Sequence, residues 1–185
     1  MHTIRRCFMI SPDYVEQSKV KAQLANAITL MNLSFGVVAI ILIIKGLGHM
    51  SLLFIFLAAL FDRFDGMVAR HYNAESVFGK ELDSLCDLVS FGLAPALLIY
   101  ETTLHTTPWL GVIATIFYVL AGAVRLARYN ASEFDGAFYG VPITAAGVVM
   151  TLSFFLVPYV GPLFFVILML VMSVLMISNI RIAKV

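Results

Sequence analysis

Four aspartates, Asp62, Asp65, Asp83 and Asp87, have the type and spacing to do chemistry. They lie within strongly apolar stretches, where a carboxylate at mid-helix costs at least about 2.5–3.5 kcal/mol to insert into a bilayer. Asp62 and Asp65 are spaced i, i+3, and Asp83 and Asp87 i, i+4, so each pair shares one helix face. A short connection between the two stretches makes them antiparallel and lets the pairs converge. Carboxylates crowded in this way repel one another unless some are protonated or a cation holds them together. All-carboxylate ligation suits a hard divalent cation, Mg²⁺ or Mn²⁺, as one ion or two. Two such ions can clamp the oxygens of a transferring phosphoryl group. No histidine accompanies the cluster, which argues against zinc and against a ferritin-like iron site. Cys7 and Cys86 form no metal-binding or redox pattern, and Cys86 reads as a small buried hydrophobe.

Small and basic residues flank the acids. Gly66 and Ala69 follow Asp65, and Gly79 precedes Asp83 by one turn. Such side chains mark ordinary contacts between membrane helices, but they also let a flat group or another backbone come close. Beside four aspartates the preferred reading is a nucleotide seat. Arg70 adds a planar fork suited to phosphate or carboxylate. Arg125 and Arg128, spaced i, i+3, read equally well as ligands for an acidic substrate group and as anchors that snorkel to lipid headgroups. Asn130 could assist either role. Lys80 could meet a phosphate but reads more simply as an exposed loop lysine.

The elements that must position these residues are apolar helices. Of the 185 residues, 61% are hydrophobic and 12% charged, against roughly 25% charged in soluble domains. The fold class is therefore all-α integral membrane, with a span needing about 20 mainly apolar residues. Six transmembrane helices are expected, near 27–45, 50–70, 82–103, 108–128, 141–158 and 161–180. Breakers separate them at Gly46–Gly48, Asn73–Glu75, Thr106–Pro108, Asp135–Gly136 and Gly161–Pro162. The Val157–Pro162 stretch reads as a turn or a kink, which leaves five spans as the alternative. Residues 10–25 mix polar and apolar types and read equally as an interfacial amphipathic helix and as a loose tail. One domain, 1–185, with 1–25 as a cytoplasmic N-terminal segment, accounts for the chain.

Placing the N-terminus in the cytoplasm puts Arg5, Arg6, Lys19, Lys21, Arg63, Arg70, Lys80, Arg125, Arg128, Arg181 and Lys184 on or near that side. Lys45 alone falls outside. Both termini and the acidic cluster then face the cytoplasm. The aromatics Trp109, Tyr118, Phe154, Phe155, Tyr159, Phe164 and Phe165 read as lipid-facing or interfacial. The net charge of +1 carries no information about partners, and no nucleic-acid partner is expected.

Residues 62–87 match D-x2-D-G-x2-A-R-x8-G-x3-D-x3-D at every fixed position. The segment thereby resembles the CDP-alcohol phosphotransferase family, whose six-helix outline agrees with the rest of the chain. The resemblance implies displacement of CMP from a CDP-linked donor by an alcohol. It implies that Asp62, Asp65, Asp83 and Asp87 bind one or two divalent cations, with Asp87 also the general base. It places Gly66, Ala69, Arg70 and Gly79, with Asp65, around the cytidine diphosphate. Thr29 and Asn32 resemble a T-x2-N element that approaches the nucleotide. The proline often found shortly before that element is absent, and Ala25-Asn26-Ala27 stands there.

Within the family, 79–85, 87–95, Arg125–Asn130, Gly140-Val141-Pro142 and Ala146-Gly147 look most like the members whose acceptor is L-serine and whose donor is CDP-diacylglycerol. Lys80, Arg125, Arg128 and Asn130 are then the candidate contacts for serine or lipid phosphate, and a homodimer among membrane lipids is implied. Transfer would be direct, since no Ser or His beside the cluster makes an obvious covalent nucleophile. The alternatives are glycerol 3-phosphate or inositol phosphate as acceptor, which would demand a larger basic pocket, and a small cation transporter. A transporter needs carboxylates along a path across the bilayer, whereas these lie at one depth.

Overall fold

The computed structural model describes the backbone of residues 12–71, 76–131, 138–179 and 181–182. It consists of apolar rods joined by short turns. The first is α1 (Pro12–Ile44), followed by α2 (Gly48–His71). The third rod joins α3 (Val77–Asp87), a π-helical turn (Leu88–Leu93) and α4 (Ala94–Thr102) without a break. Then come α5 (Pro108–Ala131), α6 (Ile143–Ser153) with a 3₁₀ turn (Phe154–Leu156), and α7 (Pro162–Ile177). The Val157–Pro162 stretch is a turn, not a kink, so α6 and α7 are separate rods. Two-residue strands β1 (Phe138–Tyr139) and β2 (Arg181–Ile182) pair antiparallel. The expected linkers at 73–75 and 135–136, residues 1–11, and the side chains of Lys19, Lys21, Ala69 and Arg70 lie outside the described residues.

Two boundaries differ from the sequence expectation. The stretch read as a surface helix or a tail is helical from Pro12 and continuous with the first apolar segment. It runs straight through Ala25-Asn26-Ala27, where a proline would have removed a backbone donor. The third rod begins at Val77, not near 82, because Ser76 caps it. Ser76 is extended (φ −128°, ψ 153°), and its side chain accepts a hydrogen bond from the Gly79 amide at 2.9 Å. Lys80 therefore lies in the first helical turns instead of a loop.

Helix α1 ends in a Schellman motif. Gly46 is at φ +74°, and the amides of Leu47 and Gly46 donate to the carbonyls of Leu42 and Ile43. That turn sends α2 back along α1, with Phe35 stacked near Phe54 and Phe61 (6.1 and 5.1 Å between centroids). The buried stripe of α1 is Ala25, Thr29, Asn32, Gly36, Ala39 and Ile43. Its alternating steps of four and three residues are the seam of a helix packed along its whole length.

Among the described residues, three helices are long and apolar enough to cross a membrane: Gln23–Ile44, Val77–Thr102 and Trp109–Ala131. Shorter apolar helices occupy Ile143–Leu156 and Pro162–Ile177. Helix α2, at 24 residues, matches the longer ones but carries Asp62, Arg63 and Asp65 in its second half. Large apolar side chains such as Leu53, Phe117, Ile167 and Val174 cover the outside of the bundle. So much exposed apolar surface is stable only against lipid, and the protein is an all-α membrane protein.

Tyr118, Phe165 and Phe154 correct the lipid-facing reading of the aromatics, because all three are buried. Trp109, Phe155, Tyr159 and Phe164 are exposed as expected.

Candidate active site

Helix α2 brings its C-terminal turns and α3 its full length to one end of the bundle. Asp62, Asp83 and Asp87 each offer a carboxylate oxygen there, and these oxygens lie within 4.8 Å of one another. The helical spacing explains the meeting: 83 and 87 stand one turn apart on the face of α3 that looks at α2. Asp87 is buried, whereas Asp62 and Asp83 are half-buried. Asp62 and Asp87 approach to hydrogen-bonding distance of each other. Asp65 falls outside this trio. It is buried beside Thr29 of α1 and stays near enough to Asp62 and Asp83 to repel them.

Several polar atoms at this end are buried without a hydrogen-bond partner: one oxygen each of Asp65, Asp83 and Asp87, both amide atoms of Asn32, and Nε of Arg125. Buried polar groups are normally paired, since leaving one unmet costs about 1–3 kcal/mol. A carboxylate trio at this spacing with oxygens to spare fits a hard divalent cation, and the donor set is all oxygen.

The other expected residues surround this centre in different ways. Thr29 is buried, and its hydroxyl donates to the Ala25 carbonyl at 3.1 Å. Asn32 is fully buried two turns into the same stripe. Gly66 follows Asp65 directly, while Ala69 and Arg70 are placed on α2 by their backbone alone. A Cβ on Gly79 would stand 3.1 Å from Asn26 Oδ1, so the glycine lets α3 close on α1. Asn26 adds a polar group that the sequence reading passed over; its position three residues before Thr29, on the same side of α1, was the available signal.

The four basic and amide candidates separate. Arg125 lies close enough to Asp87 to interact with it electrostatically. Arg128 turns away, and its Nη1 donates to the Ile177 carbonyl at 2.9 Å, at the C-terminal end of α7. The Val141 amide satisfies the nearby Leu175 carbonyl, and Gly140, at φ +73°, lets the chain pass close to Met176. Lys80 Nζ donates to the Tyr129 carbonyl at 3.2 Å and sits 4.6 Å from the centre of its ring. Asn130 Nδ2 donates to Glu81 Oε2 and to Ser84 Oγ, both at 3.0 Å. Lys80 and Asn130 thus tie α3 to α5 beside the trio, and Arg128 ties α5 to α7.

The family model described as CDP-alcohol phosphatidyltransferase matches residues 22–178. A CDP-diacylglycerol–serine O-phosphatidyltransferase of Bacillus subtilis is 40% identical over 129 residues, which cover 69% of this chain and 73% of the relative. An archaetidylserine synthase of Methanothermobacter thermautotrophicus is 37% identical over 165 residues, covering 88% of this chain and 70% of the relative. A CDP-diacylglycerol–serine O-phosphatidyltransferase of Methanocaldococcus jannaschii is 39% identical over 127 residues, covering 69% and 58%. The matched region takes in both carboxylate-bearing helices, the α1 stripe that faces them and the α5 end that ties them in place; the chain belongs to the CDP-alcohol phosphatidyltransferase family.

Proposed function

We propose that the protein transfers the phosphatidyl group of CDP-diacylglycerol to the hydroxyl of L-serine and releases CMP. The observation that carries this reading is the trio Asp62, Asp83 and Asp87, whose carboxylate oxygens lie within 4.8 Å of one another, with one oxygen each of Asp83 and Asp87 buried and unpaired. The family supplies the reaction type. Serine as acceptor is supported by relatives that carry it in their names, from a bacterium and from archaea.

Asp62, Asp83 and Asp87, with Asp65 beside them, would hold Mg²⁺ or Mn²⁺. When bound, such an ion neutralises charge on the diphosphate and on the departing CMP. Thr29, Asn32, Gly66 and Gly79, together with Ala69 and Arg70 by their match to the family signature, would receive the cytidine diphosphate. Asn32 has a full amide to spend there, since neither of its polar atoms has a partner. Asp87 takes the proton from the serine hydroxyl as its oxygen forms the new bond to phosphorus and the bond to CMP breaks. Among Lys80, Arg125, Arg128 and Asn130, we assign the serine carboxylate or the lipid phosphate to Arg125. Its Nε is unpaired and its charge lies beside Asp87, whereas Lys80, Arg128 and Asn130 have donors committed to holding α5 in place. The whole chain acts as one domain with six spans, as a homodimer, with both termini and the site facing the cytoplasm, where serine is in solution and the donor lipid in the bilayer.

The test is CMP release by purified protein given CDP-diacylglycerol and Mg²⁺ or Mn²⁺, with serine, glycerol 3-phosphate and inositol phosphate offered separately. Release with serine alone is expected. Faster release with either phosphorylated acceptor would reassign the acceptor, and none with any of the three would overturn the reading.

A further inference from the structure

The rod 77–102 contains a π-turn at Leu88–Leu93, immediately after Asp87. π-helical turns are rare and hold one more residue than the α-helical path they replace. One extra residue rotates everything beyond it by about 100° relative to an uninterrupted α-helix. In an uninterrupted helix, residues 83, 87, 94 and 98 would follow one stripe, at steps of four, seven and four. Ala94 and Leu98 are fully buried in the apolar core. Without the slip, Asp83 and Asp87 would be carried toward that core face. With it, α4 keeps its core face while α3 turns both aspartates onto α2.

The chemistry that maintains the slip is visible. The Phe91 carbonyl would accept from residue 95 in an α-helix, but Pro95 has no N–H to give. The fully buried Tyr118 of α5 donates its hydroxyl to that same carbonyl at 3.3 Å. The turn is also clasped from two other sides. Ser90 donates to the Asn32 carbonyl at 3.3 Å, against Gly36, where any Cβ would collide with its hydroxyl. A Cβ on Gly147 of α6 would stand 2.7 Å from the Phe91 carbonyl oxygen.

We propose that Tyr118, acting with Pro95, is a positioning residue for the reaction: it holds the π-turn that sets the rotation of Asp83 and Asp87 against Asp62. It touches no reacting atom and acts through the Phe91 carbonyl. The proposal rests on the reading of these carboxylates as a cation site.

The test compares Mn²⁺ affinity, measured by electron paramagnetic resonance on purified protein, with thermal stability in the absence of metal. Tyr118→Phe removes only the hydroxyl, and Pro95→Ala returns the N–H that an α-helical path needs. Both should weaken Mn²⁺ binding by roughly tenfold or more, the loss typical when a group that orients a ligand is removed. Half-saturating Mn²⁺ for CMP release should rise in step, with kcat at saturating Mn²⁺ much less affected. Ser51→Ala removes a buried hydroxyl bonded to the Gly48 carbonyl at the far end of α2. It should lower stability and leave Mn²⁺ affinity unchanged. If Tyr118→Phe does not fold, Pro95→Ala carries the test alone. Wild-type Mn²⁺ affinity in the folded variants, at whatever cost in stability, would overturn the positioning role and leave the cation site intact. Absence of Mn²⁺ binding to the wild-type protein would instead overturn the cation site, and the positioning role with it.

Discussion

The two ends of the bundle treat buried polar groups in opposite ways. At the end where α1 turns into α2 and α6 into α7, hydroxyls are closed off within their own helices. Ser51 donates to Gly48, Thr102 to Leu98, Thr151 to Gly147 and Ser153 to Met150, all at 2.7 Å. At the acidic end, Asn32, Asp65, Asp83, Asp87 and Arg125 keep polar atoms buried and unmet, and among the described residues every such atom lies at that end. The single seam of α1 shows the change along one helix: Thr29 and Asn32 on the acidic half, Ala39 and Ile43 on the other. One half is satisfied by folding alone. The other is left with hydrogen-bonding capacity that a ligand can fill, and natural proteins accept such inconsistency at functional sites.

Substitutions at the two ends should therefore separate turnover from stability. The largest effect is expected from Asp87→Asn, which keeps shape and removes the proposed base. CMP release should fall by about 10²–10⁴, with donor binding largely retained in an equilibrium binding assay. Retained turnover would end the assignment of Asp87. Next comes Asn32→Leu, which replaces an unpaired buried amide by an apolar group of similar size. The KM for the CDP-linked donor should rise about tenfold, the loss of roughly 1.4 kcal/mol of hydrogen bonding. Thermal denaturation in detergent should show equal or greater stability, and a large drop in stability would mean that the amide serves the fold. The smallest effect on chemistry belongs to Thr151→Val at the closed end. Losing its bond to Gly147 should cost about 0.5–1.5 kcal/mol of stability, with kinetic constants unchanged.

Much of this contrast is legible in the sequence. The spacing of Asp62 and Asp65 and of Asp83 and Asp87 on helices predicts that the two pairs converge, and breakers such as Gly46 mark the turns. What escapes the sequence reading does so for identifiable reasons. Hydropathy marks where a chain meets lipid, not where a helix begins, so it points to a third rod from about 82, although Ser76 caps one that begins at Val77. The same blindness hid the unbroken course of α1 from Pro12. Asp65 fits the carboxylate spacing as well as Asp62 does, and only packing against Thr29 sets it apart from the trio. Arg125 and Arg128 share an apparent helix face, yet one meets Asp87 and the other an end carbonyl of α7; a side chain of that length chooses its partner in three dimensions. Pro95 was a readable sign of an irregular helix, but its answer, the Tyr118 hydroxyl, comes from another helix.

The carboxylate trio comes from one stretch of chain, 62–87, and so from a single pair of neighbouring helices. During synthesis the ribosome delivers all three acids before α5, α6 and α7 exist. The later helices bring Arg125, the Tyr118 hydroxyl and the tie to α7 up to an acid centre whose parts are already present. An insertion intermediate containing only the first three rods thus holds every carboxylate of the trio, while the groups that steady them arrive last.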